Sequence, residues 1–227
     1  MAIICREHKL LFIMAPRTAC SATGKVLCEK LGGEYIPFQD IVDSDGHFKV
    51  QKKHSTLSEL IENKLISKEK LSDYLKFTCV RNPYDLIVSE YVKRKVTYQP
   101  LLKDPDSWVH KVPKYKEGMN FCKENSFEDW VVYRHSTSLA KRIQGKGKKS
   151  IFEKFTNEVD EIMKFENLQE DFQRVLSKAG IEQKLNVPVF NKTIEKDKNY
   201  QDYYTKRSKK IIDYVYQKDI KKYKYVF

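Results

Sequence analysis

No apolar run in this chain approaches the roughly 18 residues needed to span a bilayer; the longest, Leu10-Leu11-Phe12-Ile13-Met14-Ala15, is far too short. No basic segment leading into an apolar one opens the sequence, so residues 1–6 do not read as a secretory leader. The five cysteines, at 5, 20, 28, 79 and 122, include no CxxC pair, which excludes a disulfide ladder and suggests a reducing, cytoplasmic setting. The five histidines, at 8, 47, 54, 110 and 135, lack metal-ligand spacing, so no metal is expected. With 8 Gly and 7 Pro among 227 residues, and 41% apolar content, a collagen-like, low-complexity or disordered chain is excluded. Acid is the minority charge: 31 Asp and Glu stand against 43 Lys and Arg, a net +12. That excess implies an anionic partner without saying whether it is nucleic acid, a membrane, a nucleotide or a sulfated product.

What is present alternates between strand and helix patterns, which predicts an α/β fold with a central, mainly parallel sheet flanked by helices. Two strands are expected at 3–5 and 10–14, or one strand entered after a bend, with Pro16 ending the second segment. A helix follows from Thr18, with Ala22, Val26, Leu27 and Leu31 at helical spacing and Gly32-Gly33 closing it. Helical pieces are expected at 56–64 and from Ser67. The apolar run 75–80 reads as a buried strand leading into Arg81-Asn82-Pro83-Tyr84-Asp85. There Asn82 is an N-cap, Pro83 takes the first helical position and Asp85 is an acidic capping partner. The Pro-, Lys- and aromatic-containing stretch 96–126 reads as irregular, suited to a lid or acceptor-binding loop. Helices at 127–134 and 168–179, a strand at 161–165 and a closing helix after Tyr203 complete the chain. With no internal repeat and no boundary signal, 1–227 reads as a single domain, with 96–150 as an acceptor-binding or lid insertion.

Two strand-to-helix turns carry the chemistry, because unpaired backbone N–H groups and the helix dipole favour anions there. The first, Ala15-Pro16-Arg17-Thr18-Ala19-Cys20-Ser21-Ala22-Thr23, combines small side chains, three hydroxyls and one fixed cation. The second is Arg81-Asn82-Pro83, with Ser89 on the helix that follows. A magnesium-dependent nucleotide loop is excluded although Gly24-Lys25 is in place. Ala19 stands where the first Gly would be, and Val26 where a metal-ligating hydroxyl would be.

These turns resemble those of the sulfotransferases that use 3′-phosphoadenosine 5′-phosphosulfate (PAPS), in particular the carbohydrate or family 2 type. Phe12-Ile13-Met14-Ala15-Pro16-Arg17-Thr18-Ala19-Cys20-Ser21 is similar to that family's strand and 5′-phosphosulfate loop. Val80-Arg81-Asn82-Pro83-Tyr84-Asp85-Leu86-Ile87-Val88-Ser89-Glu90-Tyr91 is similar to its 3′-phosphate motif. Lys164-Phe165-Glu166-Asn167-Leu168-Gln169-Glu170-Asp171-Phe172 and the Tyr-rich close, to Tyr223, Tyr225 and Phe227, match in the same order. The resemblance implies a P-loop-like three-layer fold and PAPS as donor. Arg17, Thr18, Ala19, Cys20, Ser21, Ala22 and Thr23 would hold the 5′-phosphosulfate, Arg81 and Ser89 the 3′-phosphate, and Thr193 and Lys196 a loop closing on the nucleotide. It also implies an in-line displacement at sulfur in which His54, placed like the catalytic histidine of the 2-O-sulfotransferase branch, is the base and Glu59 the fallback. Arg17, where relatives have Lys, keeps the charge but cannot release a proton at neutral pH.

The acceptor implied is a neutral or anionic carbohydrate or small molecule rather than nucleic acid, and no membrane span is expected. The missing anchor sets the chain apart from Golgi-type relatives and suits a soluble microbial enzyme. Two alternatives stand beside this reading. One is a catalytically weak member that only binds PAPS or its product nucleotide, PAP; the other is a basic nucleic-acid-binding protein.

Overall fold

A computed structural model of the chain describes residues 2–44, 48–112, 114–188 and 199–227. In chain order the elements begin with β1 (Ala2–Cys5), β2 (Leu10–Ile13), α1 (Cys20–Leu31), β3 (Glu34–Ile36), β4 (Ile41–Val42), β5 (Phe48–Val50), α2 (Leu57–Glu62) and β6 (Leu75–Val80). They continue with α3 (Pro83–Val92), α4 (Trp108–Lys111), α5 (Tyr115–Glu124), α6 (Phe127–Ala140), α7 (Glu153–Thr156), β7 (Glu161–Lys164), α8 (Leu168–Lys178), α9 (Lys206–Val215) and α10 (Gln217–Lys222). The chain divides into two compact units, each built from two separated segments: Met1–Arg81 with Phe152–Phe190, and Asn82–Ile151 with Asn191–Phe227.

The first unit holds a five-stranded sheet of order β3-β1-β2-β6-β7. The pairs β2–β6 and β6–β7 are parallel, and β1 runs antiparallel to both β2 and β3. Four strands therefore share a direction and the α/β reading holds, with β1 the exception. Only residues 6–9 join β1 to β2, and a link that short permits an antiparallel return but no parallel crossover. Every residue of β1 and β2 is buried, as expected where both faces of a sheet are covered. On one face Ile3, Phe12, Phe77 and Met163 pack with Val26 and Leu27 of α1 and with Phe172, Val175 and Leu176 of α8. Phe12 and Phe77, opposite one another in register, stack at 4.8 Å.

The second unit is helical among its described residues. Its core gathers Tyr91, Phe127, Trp130, Val131, Ile212 and Val215, and Tyr91 packs against both Phe127 and Trp130. The stretch 96–126 is not the irregular segment its composition suggested, because it contains α4 and α5. Gly118, Met119 and Cys122 form a buried stripe on α5, and the Arg94 guanidinium lies 3.9 Å over the Tyr115 ring. Gly118 makes room for that cation: a Cβ there would stand 2.7 Å from Arg94 Nη1. Frequent Lys and Glu on the outer face hide the stripe in a composition-based reading.

Candidate active site

The first turn is built from the end of β2. After Met14 the chain turns sharply, with the Ala15 N–H donating to the Ile13 carbonyl at 3.1 Å and Thr18 Oγ1 donating to the Ala15 carbonyl at 2.9 Å. Arg17 (φ 67°) and Ala19 (φ 57°) occupy the left-handed region, a conformation that non-glycine residues adopt at a cost and that clusters at ligand clamps. Helix α1 then begins, with the N–H groups of Ala22 and Thr23 both donating to the Ala19 carbonyl. Its first turn contains no acidic residue. A helix N-terminus behind a turn of alternating backbone sign is a concavity suited to an oxyanion.

One further atom points to an acceptor-rich ligand. Thr23 Oγ1, in a residue with no exposure, has no hydrogen-bond partner among the described residues. An unpartnered buried hydroxyl is costly, and an oxyanion is the kind of group that satisfies it. Ala19, Cys20 and Ala22 keep side-chain bulk away from the backbone. Burial raises the Cys20 thiol above its ordinary range, so it packs as a neutral group. Ser21 is exposed.

The second turn meets the first within the same unit. Register sets Ile13 beside Thr78 in the parallel β2–β6 pair, and Thr78 Oγ1 donates to the Ile13 carbonyl at 2.7 Å. The strand ends are thereby aligned, and Arg81 Nη1 donates to the Arg17 carbonyl at 2.9 Å. The Arg81 guanidinium, in a residue only 8% exposed, also sits 4.1 Å over the Phe165 ring. Phe165 follows β7, whose last residue donates its N–H to Asp171 Oδ2 at 2.7 Å. The Phe165 and Asp171 roles were not assigned from sequence, although both lie in the 164–172 segment that carries part of the resemblance. Ser89 is buried on α3, in the second unit. Thr193 and Lys196 lie outside the described residues.

His54 is also part of the first unit. Its backbone has φ 69°, and its Nδ1 is 2.9 Å from the Met14 carbonyl, immediately before the first turn. A carbonyl only accepts, so Nδ1 carries the proton and Nε2 the lone pair. Burial, joined by the nearby charges of Lys53 and Arg17 and against the opposing effect of the Met14 hydrogen bond, lowers the pKa to about 4. The ring is therefore neutral at pH 7. Glu59, the fallback base, accepts from the Thr56 N–H at 2.8 Å and completes the capping box of α2. That bond commits one carboxylate oxygen to the helix cap.

Comparison with known proteins gives a consistent identification. The model of the sulfotransferase family matches residues 1–226. The chain is 29% identical over 136 residues to carbohydrate sulfotransferase 10 of Gallus gallus, and 26% identical over the same length to those of Rattus norvegicus and Homo sapiens. Each match takes in 57% of this chain and 36% of the relative, so the chain spans about a third of the length of these curated relatives. No solved structure matches. The cytoplasmic expectation is overturned, because the matched relatives are Golgi membrane enzymes. The features behind that expectation, scattered cysteines and no long apolar run, do not fix a compartment. No helix among the described residues is long and apolar enough to cross a membrane. On the full-length family match and its carbohydrate-type relatives, the chain belongs to the sulfotransferase family.

Proposed function

We propose that this protein transfers a sulfuryl group from PAPS to a hydroxyl of a carbohydrate or small-molecule acceptor by in-line displacement. The observation that carries this reading is the first turn itself. It has left-handed Arg17 and Ala19, an acid-free helix start, the unpartnered hydroxyl of Thr23, and Arg81 bonded to its backbone. These features fit the phosphosulfate end of the donor. When bound, PAPS supplies an activated sulfuryl group on a phosphate leaving group.

The chain's own residues would divide the work as follows. Arg17 and the 18–23 segment bind and orient the anion and stabilise charge developing on the leaving oxygen. Arg17 does so as a permanent cation, without donating its proton. Arg81 braces the turn through the Arg17 carbonyl and supplies positive charge for the 3′-phosphate, the role the family pattern also gives to Ser89. His54 Nε2 accepts the acceptor's hydroxyl proton, with the Met14 carbonyl fixing the tautomer. A pKa near 4 keeps that nitrogen unprotonated but makes it a weak base. An anion held at Arg17 would raise its basicity by offsetting the nearby positive charge. Acceptor selection falls to 96–150, within the second unit.

Transfer of labelled sulfate to a panel of acceptors, with the wild type, Arg17→Ala and His54→Ala, tests the assignment. Both variants should lose about 100-fold or more in kcat. Unchanged turnover in His54→Ala would remove its role as base. The presence of Arg17 favours one second reading, a member that binds the nucleotide but transfers weakly. In that case PAP would raise Tm while every acceptor in the panel stays unmodified.

A further inference from the structure

The donor site uses few of the chain's excess cations. Between Asp129 and Glu153 the sequence has no acidic residue. Within that interval Lys141, Arg142, Lys146, Lys148 and Lys149 are all exposed, and none forms an ion pair among the described residues. Asp219, which bonds to the end of this interval, is 1% exposed and accepts from the Ile151 N–H at 2.6 Å.

The segment is held in a defined shape. The Lys149 N–H donates to the Val215 carbonyl at 2.7 Å, and the Tyr214 hydroxyl donates to the Lys146 carbonyl. Arg142 lies 4.9 Å over the Tyr214 ring, and Lys148 reaches 5.9 Å from it. Gly145 and Gly147 both have positive φ. Gly147 lies so close to the Ser138 carbonyl, 2.2 Å from where a Cβ would be, that no other residue fits without a shift. On this braced turn Ile143 is 95% exposed, the most exposed of the large apolar side chains described.

We infer that the 141–149 turn is a docking surface for an anionic membrane. Ile143 inserts among the acyl chains, and Lys141, Arg142, Lys146, Lys148 and Lys149 meet the lipid phosphates. The apolar apex decides between partners. A soluble polyanion would engage the five cations but gives an aliphatic side chain nothing to enter, whereas an interfacial site uses charge and apolar insertion together. The surface accounts for five positive charges that the donor site leaves unused.

The test is co-sedimentation of the full-length protein with phosphatidylcholine vesicles, with and without about one-quarter phosphatidylserine. It reads out binding and not sulfotransfer, so it stands or falls apart from the proposed activity. The wild type should bind the anionic vesicles and not the neutral ones. Lys146→Ser/Lys148→Ser/Lys149→Ser should weaken binding by about 100-fold, since each cation near the surface contributes roughly 5-fold. Ile143→Ser should weaken it by about 10-fold through lost apolar insertion. Because these side chains are exposed, thermal unfolding should be unchanged; if the triple variant does not fold, Ile143→Ser decides alone. Wild-type affinity in Ile143→Ser would overturn the inference. So would tighter binding to heparin or DNA than to the vesicles, which would make this a surface for soluble polyanions.

Discussion

At the scale of single residues, two histidines behave unlike free imidazoles. His135, on α6, is 1% exposed, and neither ring nitrogen has a hydrogen-bond partner among the described residues. Burial, then the charges of Arg134 and Lys149, lower its pKa from 6.5 to about 3. The folded state thus resists a proton that the unfolded state accepts. The sign follows: stability is complete above about pH 6.5 and falls as pH drops towards 3, where the folded form also protonates. The loss over that window is on the order of 5 kcal/mol at 1.36 kcal/mol per unit. His54 contributes in the same direction between 6.5 and about 4. Urea unfolding at a series of pH values should therefore show a steep acid decline in the wild type and a shallower one in His135→Phe. The same slope in both would show that His135 is not the proton acceptor. The burial behind these shifts was not visible in the sequence, where His135 was one of five histidines without ligand spacing and His54 stood out by family resemblance alone. Arg17 and Arg81 were legible because strand-to-helix turns have local signatures. The Met14 carbonyl that sets the His54 tautomer was not, because it lies forty residues away and carries no side-chain signal.

Between elements, a close fit lies where α1 returns to the sheet. Gly33 follows the helix, and its N–H donates to the Leu27 carbonyl at 3.0 Å. A Cβ at Gly33 would stand 2.8 Å from Ile3 Cγ2 and 3.0 Å from the Leu27 backbone. Gly24, inside α1, would crowd the tip of Ile3, Cδ1, at 2.5 Å and reach ordinary contact with the end of the Met14 side chain at 3.5 Å. A side-chain tip can rotate away, whereas a helix backbone cannot. Gly33→Ala should therefore cost about 2–3 kcal/mol, and Gly24→Ala about 1 kcal/mol, by the overpacking of a filled core. Chemical denaturation of the two variants checks the order, and equal losses would contradict the backbone argument. The sequence had placed Gly32-Gly33 as the close of α1 by its turn chemistry, and the structure agrees, with Gly32 at φ 60°. It had likewise placed β6 and the Asn82-capped start of α3, where apolar run, N-cap and proline all pointed the same way. The direction of β1 and the helices α4 and α5 escaped for different reasons. Strand direction depends on the connection, and the α5 stripe is obscured by charged neighbours.

For the molecule as a whole, the chain order cuts across the packing. The first unit needs both Met1–Arg81 and Phe152–Phe190, so the chain leaves it after β6 and returns to add β7 and α8. Strand β7 pairs in parallel with β6, from Phe77↔Glu161 to Val80↔Lys164, and α8 brings Phe172, Val175 and Leu176, each with no exposure, into the core shared with Phe12 and Phe77. Parallel pairing always needs a long crossover, and closing one of this length adds an entropic cost before any contact is made. Residues 1–81 expressed alone would expose one edge of β6 and lack one wall of that core. Removing three large apolar side chains of this kind costs several kcal/mol, comparable to the whole stability of a domain. The fragment should therefore lack cooperative thermal unfolding and a dispersed amide spectrum, and co-expression with 152–190 should restore both. Cooperative unfolding of 1–81 by itself would mean that the strand pairs β3-β1-β2-β6 with α1 suffice, and that β7 and α8 serve the candidate site rather than the fold.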